Sequence, residues 1–445
     1  MNITIIGTGY VGLVSGVCLA AKNHRVTCVD NNLNIVNKLN RGIPTIHEKG
    51  LHDLLNKAIK SNLFYATNNL TNGLNSADTI IVAVGTPSHN GIIDLSYILD
   101  VSKAIGQFIK TSQKKISVII KSTVIPGTTD TQIKNAIEEA SGKKLGDFGL
   151  GMNPEFLREG NAIDDFMYPD RIIFGYQDLY TLEILEKIYS PWKCEKVCVN
   201  TRTAEMIKYT NNTLLATQIS TINEIANLAS KLGGIDMLEV FDGVSLDKRW
   251  NPIVNNIRSN PKILTYLIPG CGFGGSCFPK DLQALRSQGE QNGLPMEILN
   301  AILSVNNKQP YQISKIIEEK IGNLLNKRIL VLGLAFKADT DDVRESPSLK
   351  IIPDLLSKNA IVTAHDPIAI ENFKLAIGNI SSKIIFKNEW ESCISDADVI
   401  IISTSWNDYK NICNYDLERK IIFDARRLLS HKNLKGGIYL SIGYN

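Results

Sequence analysis

Ile3-Thr4-Ile5-Ile6-Gly7-Thr8-Gly9-Tyr10-Val11-Gly12 reads as a short apolar strand running into a glycine-rich turn, with an apolar helical stretch directly behind it. Gly7 permits the tight turn, and Gly9 lets backbone N–H groups come close to a pyrophosphate. Gly12 allows the following helix to pack tightly, and the N-terminus of that helix attracts negative charge. Asp30 closes the next apolar run, Val26–Val29. A carboxylate there accepts from ribose hydroxyls and repels a 2′-phosphate, so the pattern predicts a dinucleotide site that takes NAD rather than NADP. A plain surface turn is the competing reading. It explains the glycines but not the strand, helix and acid that surround them.

The same alternation continues through Thr79–Val84, Ser117–Ile120 and Ile172–Phe174, which predicts βαβ units around a parallel sheet. A second cycle begins at Arg328–Gly333, passes Ile361–Asp366 and reaches Asp398–Ile402. Its order of Gly333, Asp366 and Ala397-Asp398 repeats that of Gly7, Asp30 and Ala77-Asp78, and predicts a duplicated doubly wound domain; compositional likeness between strands competes with that reading. Between the cycles, Ala204–Leu232 contains neither proline nor glycine and is closed by Gly233-Gly234. This predicts one helix about 43 Å long. Ser245–Pro269, with Pro252, Pro261 and Pro269, is expected to be irregular. The fold class is therefore α/β, with two Rossmann-like doubly wound domains joined by a long central helix. The expected boundaries are 1–200, 201–310 and 311–445.

A chain of 445 residues is too long for one ordinary core. Its 44% hydrophobic and 21% charged residues are those of a globular protein. Lys and Arg number 48 against 45 Asp and Glu, without a block of like charge, which argues against nucleic acid as a partner. No apolar run approaches the roughly 18 residues of a membrane span. Met1 leads straight into the first strand, leaving no room for a secretory leader, and the eight cysteines form no C-x-x-C pair. The expectation is a cytoplasmic protein with reduced thiols. The six histidines have no metal-ligand spacing, so no metal site is expected.

The stretch Gly270-Cys271-Gly272-Phe273-Gly274-Gly275-Ser276-Cys277-Phe278-Pro279-Lys280-Asp281 carries the most chemistry. Its four glycines suit a loop whose backbone touches a ligand. Pro279 fits the first turn of a helix, which puts Cys277 at a helix N-terminus beside Lys280; both favour thiolate over thiol. Cys277 is the expected nucleophile, and Cys271 its competitor. In Asn153-Pro154-Glu155-Phe156-Leu157-Arg158-Glu159-Gly160, a helical turn would present Glu155 and Glu159 on one face for proton transfer, an exposed acidic face being the ordinary alternative. Lys208 and Asn212 have the same spacing on the long helix, where a snorkelling lysine competes. Gly85-Thr86-Pro87 and Ser122–Thr128 follow apolar strands, at the edge where ligands of open sheets lie, though each is also an ordinary cap or turn. Gly333-Leu334-Ala335-Phe336-Lys337 lacks G-x-G-x-x-G, so this second turn is expected to bind something other than a second NAD. Lys337, Arg344 and Arg426 suit a nucleotide diphosphate.

On these motifs the chain resembles the UDP-glucose/GDP-mannose dehydrogenase family over nearly its whole length. The resemblance implies two Rossmann-like domains, a dimer across the long helix, and oxidation of a nucleotide sugar, UDP-glucose foremost, from primary alcohol to carboxylate with two NAD and no metal. It implies that Cys277 holds a thiohemiacetal and then a thioester. Asp281 and Glu155 would activate water or relay protons, Lys208 and Asn212 would steady an oxyanion, and Thr123 would position water or cofactor. Gly7, Gly9, Tyr10, Val11, Gly12, Asp30, Thr86, Thr123, Glu159, Lys280 and Arg344 would contact NAD. The sugar nucleotide would meet Glu155, Phe156, Leu157, Arg158, Glu159, Lys208, Asn212, Tyr266, Leu267, Ile268, Pro269, Gly270, Gly274, Lys337 and Arg426. Where many relatives have a lysine after the ribose acid, this chain has Ile35, which implies weaker NAD binding; Asp247–Pro261 is longer than in the simplest members. The alternatives are a sister enzyme acting on GDP-mannose or a UDP-N-acetylhexosamine, and a non-catalytic NAD-binding regulator.

Overall fold

The computed structural model describes residues 1–89 and 91–444. They gather into two compact units, Met1–Asn211 and Asn212–Asn445, with the boundary inside one long helix. The first unit is built on β1 (Asn2–Ile6), β2 (Arg25–Val29), β3 (Phe64–Thr67), β4 (Thr79–Val82), β5 (Ser117–Ile120), β6 (Gly149–Met152), β7 (Arg171–Tyr176) and β8 (Glu195–Val199). They lie side by side in the order β8-β7-β6-β5-β4-β1-β2-β3. Its centre is buried on both faces, because alternate residues point to opposite sides. Ile81 of β4 joins a core with Ile3, Ile5 and the helix α1 (Tyr10–Ala21), whereas Ile80 and Val82 join a second core with Val118 and Ile120.

The sheet is not wholly parallel as expected, since β6 and β7 run antiparallel. Between them the chain makes only the loop from Asn153 and the six-residue helix α2 (Ala162–Met167). A right-handed crossover to a parallel strand needs about a dozen residues that travel back along the sheet, usually as a longer helix. Residues 153–161 instead carry the loop that contains Glu155.

The second unit repeats the pattern with β9 (Arg328–Leu332), β10 (Ile361–His365), β11 (Ile385–Phe386), β12 (Val399–Ile402), β13 (Ile421–Asp424) and β14 (Ile438–Leu440). Their order is β11-β10-β9-β12-β13-β14, and every pair is parallel. It is the order of the first six strands of the first sheet, so the repetition read from the sequence recurs as topology.

The long helix α3 spans Thr201–Leu232, 32 residues, and starts three residues earlier than Ala204. The reason is local: the side-chain oxygen of Asn200 accepts from the Thr203 amide at 2.8 Å and caps the extra turn. Ser245–Pro269 is more regular than expected. Ile253–Val254 pairs with Ile257–Arg258 in a hairpin, and Lys262–Leu267 forms a 3₁₀ turn. The hairpin closes on Asn255 and Asn256, with φ of 50° and 62°, the left-handed pair that a two-residue hairpin turn requires and that asparagine tolerates.

Candidate active site

The turn after β1 is shaped by contacts that exclude side chains. A Cβ on Gly12 would sit 1.9 Å from the Gly7 carbonyl, and one on Gly7, whose φ is +97°, would meet the Ala83 carbonyl at 2.7 Å. A Cβ on Gly9 would meet nothing within 4 Å. Gly9 also begins α1 without a side-chain cap. Open space in front of helix amides suits a pyrophosphate, and the residues present therefore fit NAD. Asp30 stands at the end of β2, where Oδ2 accepts from the Thr8 amide at 3.1 Å and from the Thr8 hydroxyl, and Oδ1 from the Asn32 amide at 2.9 Å. The Thr86 hydroxyl donates to the Thr123 carbonyl at 2.9 Å, joining the turns that follow β4 and β5. Ile35 lies half-buried against the core.

Tyr10 and Val11 are partly buried. Val11 packs against the core, and the Tyr10 hydroxyl donates to the carboxylate of buried Glu48. Burial, and then that carboxylate, push the Tyr10 phenol well above its ordinary range. Glu48 also accepts from the Gly160 and Ala162 amides at 2.8 Å each, capping α2. Tyr10 thus ties the dinucleotide turn to the loop of Glu155.

That loop corrects the sequence reading. Residues 153–158 are not helical, so Glu155 and Glu159 do not share a helical face. Pro154 disfavours a helical conformation for Asn153, and the chain leaves β6 extended. Glu155 is buried; its Oε1 accepts from Lys208 Nζ at 2.8 Å and its Oε2 from the Leu157 amide at 2.6 Å. Burial pushes the Glu155 carboxyl up, but the Lys208 ammonium, the Leu157 amide and the charge of Lys121 outweigh it and hold the group below its ordinary range. Lys208 is itself buried, so it does not snorkel. The Arg171 guanidinium lies 4.1 Å from the ring centre of Phe156. Arg158 pairs with Asp165 at 2.6 Å, while Glu159 is half-buried.

In the second unit Cys277 caps helix α4 (Phe278–Gln291), with Pro279 in its first turn. Its carbonyl accepts from the Asp281 amide at 2.8 Å, and its sulfur lies 3.5 Å from the Ser276 hydroxyl. Asp281 is buried, accepting from the Asn212 side-chain amide at 2.7 Å and pairing with Lys280 at 3.0 Å. The two competing cysteines separate here. Cys271 is fully buried with its thiol on the Ser403 carbonyl, and burial pushes that thiol up. Cys277 is only half-buried.

Each of the four glycines of this loop lies where a side chain would have no space. A Cβ on Gly270 would meet the Ala425 carbonyl at 2.8 Å, on Gly272 the Asn306 side chain at 2.7 Å, on Gly274 the Glu345 carbonyl at 2.2 Å, and on Gly275 the Phe336 ring at 2.8 Å. Side-chain amides hold the backbone. Asn306 gives and takes a hydrogen bond with Phe273 at 3.0 and 2.8 Å, Asn223 accepts from the Gly270 amide at 2.8 Å, and Gln309 donates to the Gly270 carbonyl at 2.9 Å. Arg426 donates to the carbonyls of Ser403, Gly272 and Phe336 at 2.8, 3.1 and 3.3 Å. Arg344 pairs with Asp342 at 2.7 Å, and Lys337 lies 5.6 Å from the Phe336 ring centre. Tyr266 and Leu267 end the 3₁₀ turn, and Ile268 and Pro269 lead into the loop.

Sequence reasoning missed Glu48, Lys121, Arg171, Asn223, Asn306 and Gln309. Lys121 carried a signal, being the charge that directly follows the apolar run Val118–Ile120. The amide residues carried none.

Three family models match in succession, all of the UDP-glucose/GDP-mannose dehydrogenase family: its NAD binding domain on residues 1–193, its central domain on 202–308 and its UDP binding domain on 330–431. The chain belongs to this family. Among curated family members, the UDP-glucose 6-dehydrogenase of Rickettsia conorii is 40% identical, over all of this chain and 99% of its own. A solved UDP-glucose dehydrogenase from Pyrobaculum islandicum is 36% identical with a TM-score of 0.90, covering 100% of this chain and 98% of that one. A UDP-D-ManNAc dehydrogenase from Pyrococcus horikoshii, 25% identical, superposes with a TM-score of 0.82 and covers 100% and 99%. Among the described residues no helix is long and apolar enough to cross a membrane, and no group of three or more His, Cys, Asp or Glu could hold a metal ion.

Proposed function

We propose that this enzyme oxidises UDP-glucose to UDP-glucuronate with NAD, in two steps at one thiol. The observation that carries the reading is Cys277 at the start of α4 with buried Asp281 one turn on. A helix N-terminus and a neighbouring lysine stabilise a thiolate. NAD, when bound, accepts hydride from the sugar carbon. The turn at Gly7–Gly12 and Asp30 holds it, with Thr86, Thr123, Glu159, Lys280 and Arg344 as further contacts. Residues 1–200 form the NAD domain, 201–310 the central domain with the thiol loop, and 311–445 the UDP-sugar domain.

The chain's residues account for the rest. The Cys277 sulfur adds to the aldehyde carbon, forming a C–S bond while the carbonyl oxygen gains a proton. Lys208 and Asn212 donate to that oxygen; one well-placed donor contributes about 3 kcal/mol to such a step. After the second oxidation, water attacks the thioester carbon, the C–S bond breaks and the thiol is restored, with Glu155 and Asp281 taking the protons. Residues 155–159, Tyr266–Gly270, Gly274, Lys337 and Arg426 grip the nucleotide sugar. The 36–40% identity to UDP-glucose enzymes, against 25% to the N-acetylmannosamine enzyme, supports glucose. Eight scattered cysteines with no C-x-x-C pair suit the reducing cytoplasm. Exposed Leu214, Ile225, Leu228 and Leu232 on α3 support a homodimer.

With purified protein, the expected result is two NADH per UDP-glucose consumed. One NADH per sugar, or turnover of another sugar nucleotide and none of UDP-glucose, overturns the reading. Cys277→Ser is expected to bind the sugar and never release the acid.

A further inference from the structure

Lys121 follows β5 and turns into the interior of the first unit, where the residue is only 4% exposed. Its backbone amide is fixed to the Val82 carbonyl at 2.8 Å. Its ammonium donates to Asn153 twice, to Oδ1 at 2.8 Å and to the carbonyl at 3.4 Å, and lies 5.6 Å from the Phe166 ring centre. Asn153 is held from two further sides, donating to the Ile173 carbonyl at 2.8 Å and accepting from the Tyr189 hydroxyl at 2.5 Å. The charged groups that act on Lys121 are Glu155, two residues beyond that asparagine, and Lys208 of α3. A buried ammonium bonded to amide oxygens alone is expensive, and a methionine or leucine would fill the same space without that expense.

We propose that Lys121 is a positioning residue of the oxidation site: through Asn153 it fixes the loop that carries Glu155, and its charge is a second positive pole, with Lys208, against which Glu155 stays a carboxylate. The proposal rests on the role given above to Glu155. Burial lowers Lys121 to about 8, partly offset by Glu155 and reinforced by Lys208. The charge is therefore present below about pH 8 and is lost as pH rises through that value.

The test is the ratio of kcat in Lys121→Met to kcat in wild type across pH 6 to 9.5, because protonation of groups common to both proteins cancels. The variant is expected roughly tenfold slower at pH 6.5 and only about threefold slower above pH 9, where the wild-type lysine has lost its charge but still donates to Asn153. Tyr189→Phe disturbs the same asparagine without removing a charge, and its ratio is expected to be flat. If Lys121→Met does not fold, Lys121→Gln keeps a donor for Asn153, drops the charge, and gives the same reading. A pH-independent ratio overturns the proposal. Glu155→Gln separates the two levels. If it slows turnover while the lysine ratio stays flat, only the role of Lys121 fails; if it leaves kcat within about twofold, the role of Glu155 fails first.

Discussion

The turn after β1 and the turn after β9 begin alike and end differently. Gly7 N–H bonds the Val29 carbonyl at 2.8 Å, and Gly333 N–H bonds the His365 carbonyl at the same distance. Both glycines have positive φ, +97° and +103°. From there α1 starts at Tyr10, whereas the next helix of the second unit, α5 (Ser348–Ser357), starts far later. The acids differ more. Asp366 accepts from the amides of Leu334, Ala335, Ile368 and Ala369 and from the Trp406 indole at 3.1 Å, so its two oxygens are consumed by the protein. Asp30 is half-buried and accepts from Thr8 and Asn32 alone among the described residues. One strand order thus yields a half-buried carboxylate with few partners and a carboxylate built into its own loop. The lesson is that the fold supplies the crevice, while the hydrogen bonds already spent there decide whether it takes a dinucleotide.

The contrast breaks most visibly at the glycines. Gly12→Val is expected to weaken NAD binding roughly a thousandfold, read by NADH fluorescence titration, because its Cβ has no space at the Gly7 carbonyl. Gly333→Ala meets the Thr404 side chain at 2.3 Å and is expected to lower Tm while leaving the Kd for NAD within about twofold. Equal losses of NAD affinity would end the comparison. Next come the acids. Asp366→Asn is expected to cost about 3 kcal/mol of stability in urea melts without changing NAD affinity. Asp30→Asn is expected to reverse this, with NAD affinity falling about tenfold at nearly constant stability. Trp406→Phe removes one bond to Asp366 and is expected to cost about 1 kcal/mol.

The smallest effect tests whether buried acids behave alike in the two units. Glu205 accepts from the Gly127 and Thr129 amides at 2.6 and 3.0 Å, and burial raises it to about 7. The folded chain keeps this proton where the unfolded chain has released it, so the contribution is full below pH 4.5 and is lost as pH rises through about 7. Glu205→Gln mimics the neutral acid, and its Tm is expected to fall less than that of wild type between pH 5 and 8, by about 2 °C. Burial raises Asp424 of the second unit in the same direction, so Asp424→Asn is expected to flatten the same slope.

What the sequence disclosed follows from the range of the interactions involved. The G-x-G-x-x-G turn, the long helix and the placement of Cys277 at a helix start are set by neighbours in sequence, and all three were legible. The Asn255-Asn256 hairpin was legible in principle but was masked by the prolines around it. The Glu155 loop was misread because four-residue spacing suggests a helix although Pro154 disfavours one, and the partner of Glu155, Lys208, lies 53 residues away. Glu48 caps a helix 114 residues downstream, and Asn306 holds a loop 33 residues upstream. Nothing within a local window encodes such partners, so composition and period could not reveal them. The glycines near Cys277 were visible, but their reason, the Phe336 ring and the Glu345 carbonyl, lay elsewhere in the chain.

Asn223, Asn306 and Gln309 grip the loop before Cys277 entirely through neutral amide groups. Such bonds are not screened by dissolved ions and do not titrate in the physiological range, unlike an ion pair in the same place. This part of the mounting responds little to the ionic composition of its surroundings, unlike the Arg426 guanidinium on the Gly272 carbonyl. Nearby charge can tune the reactivity of the sulfur without loosening these amide bonds.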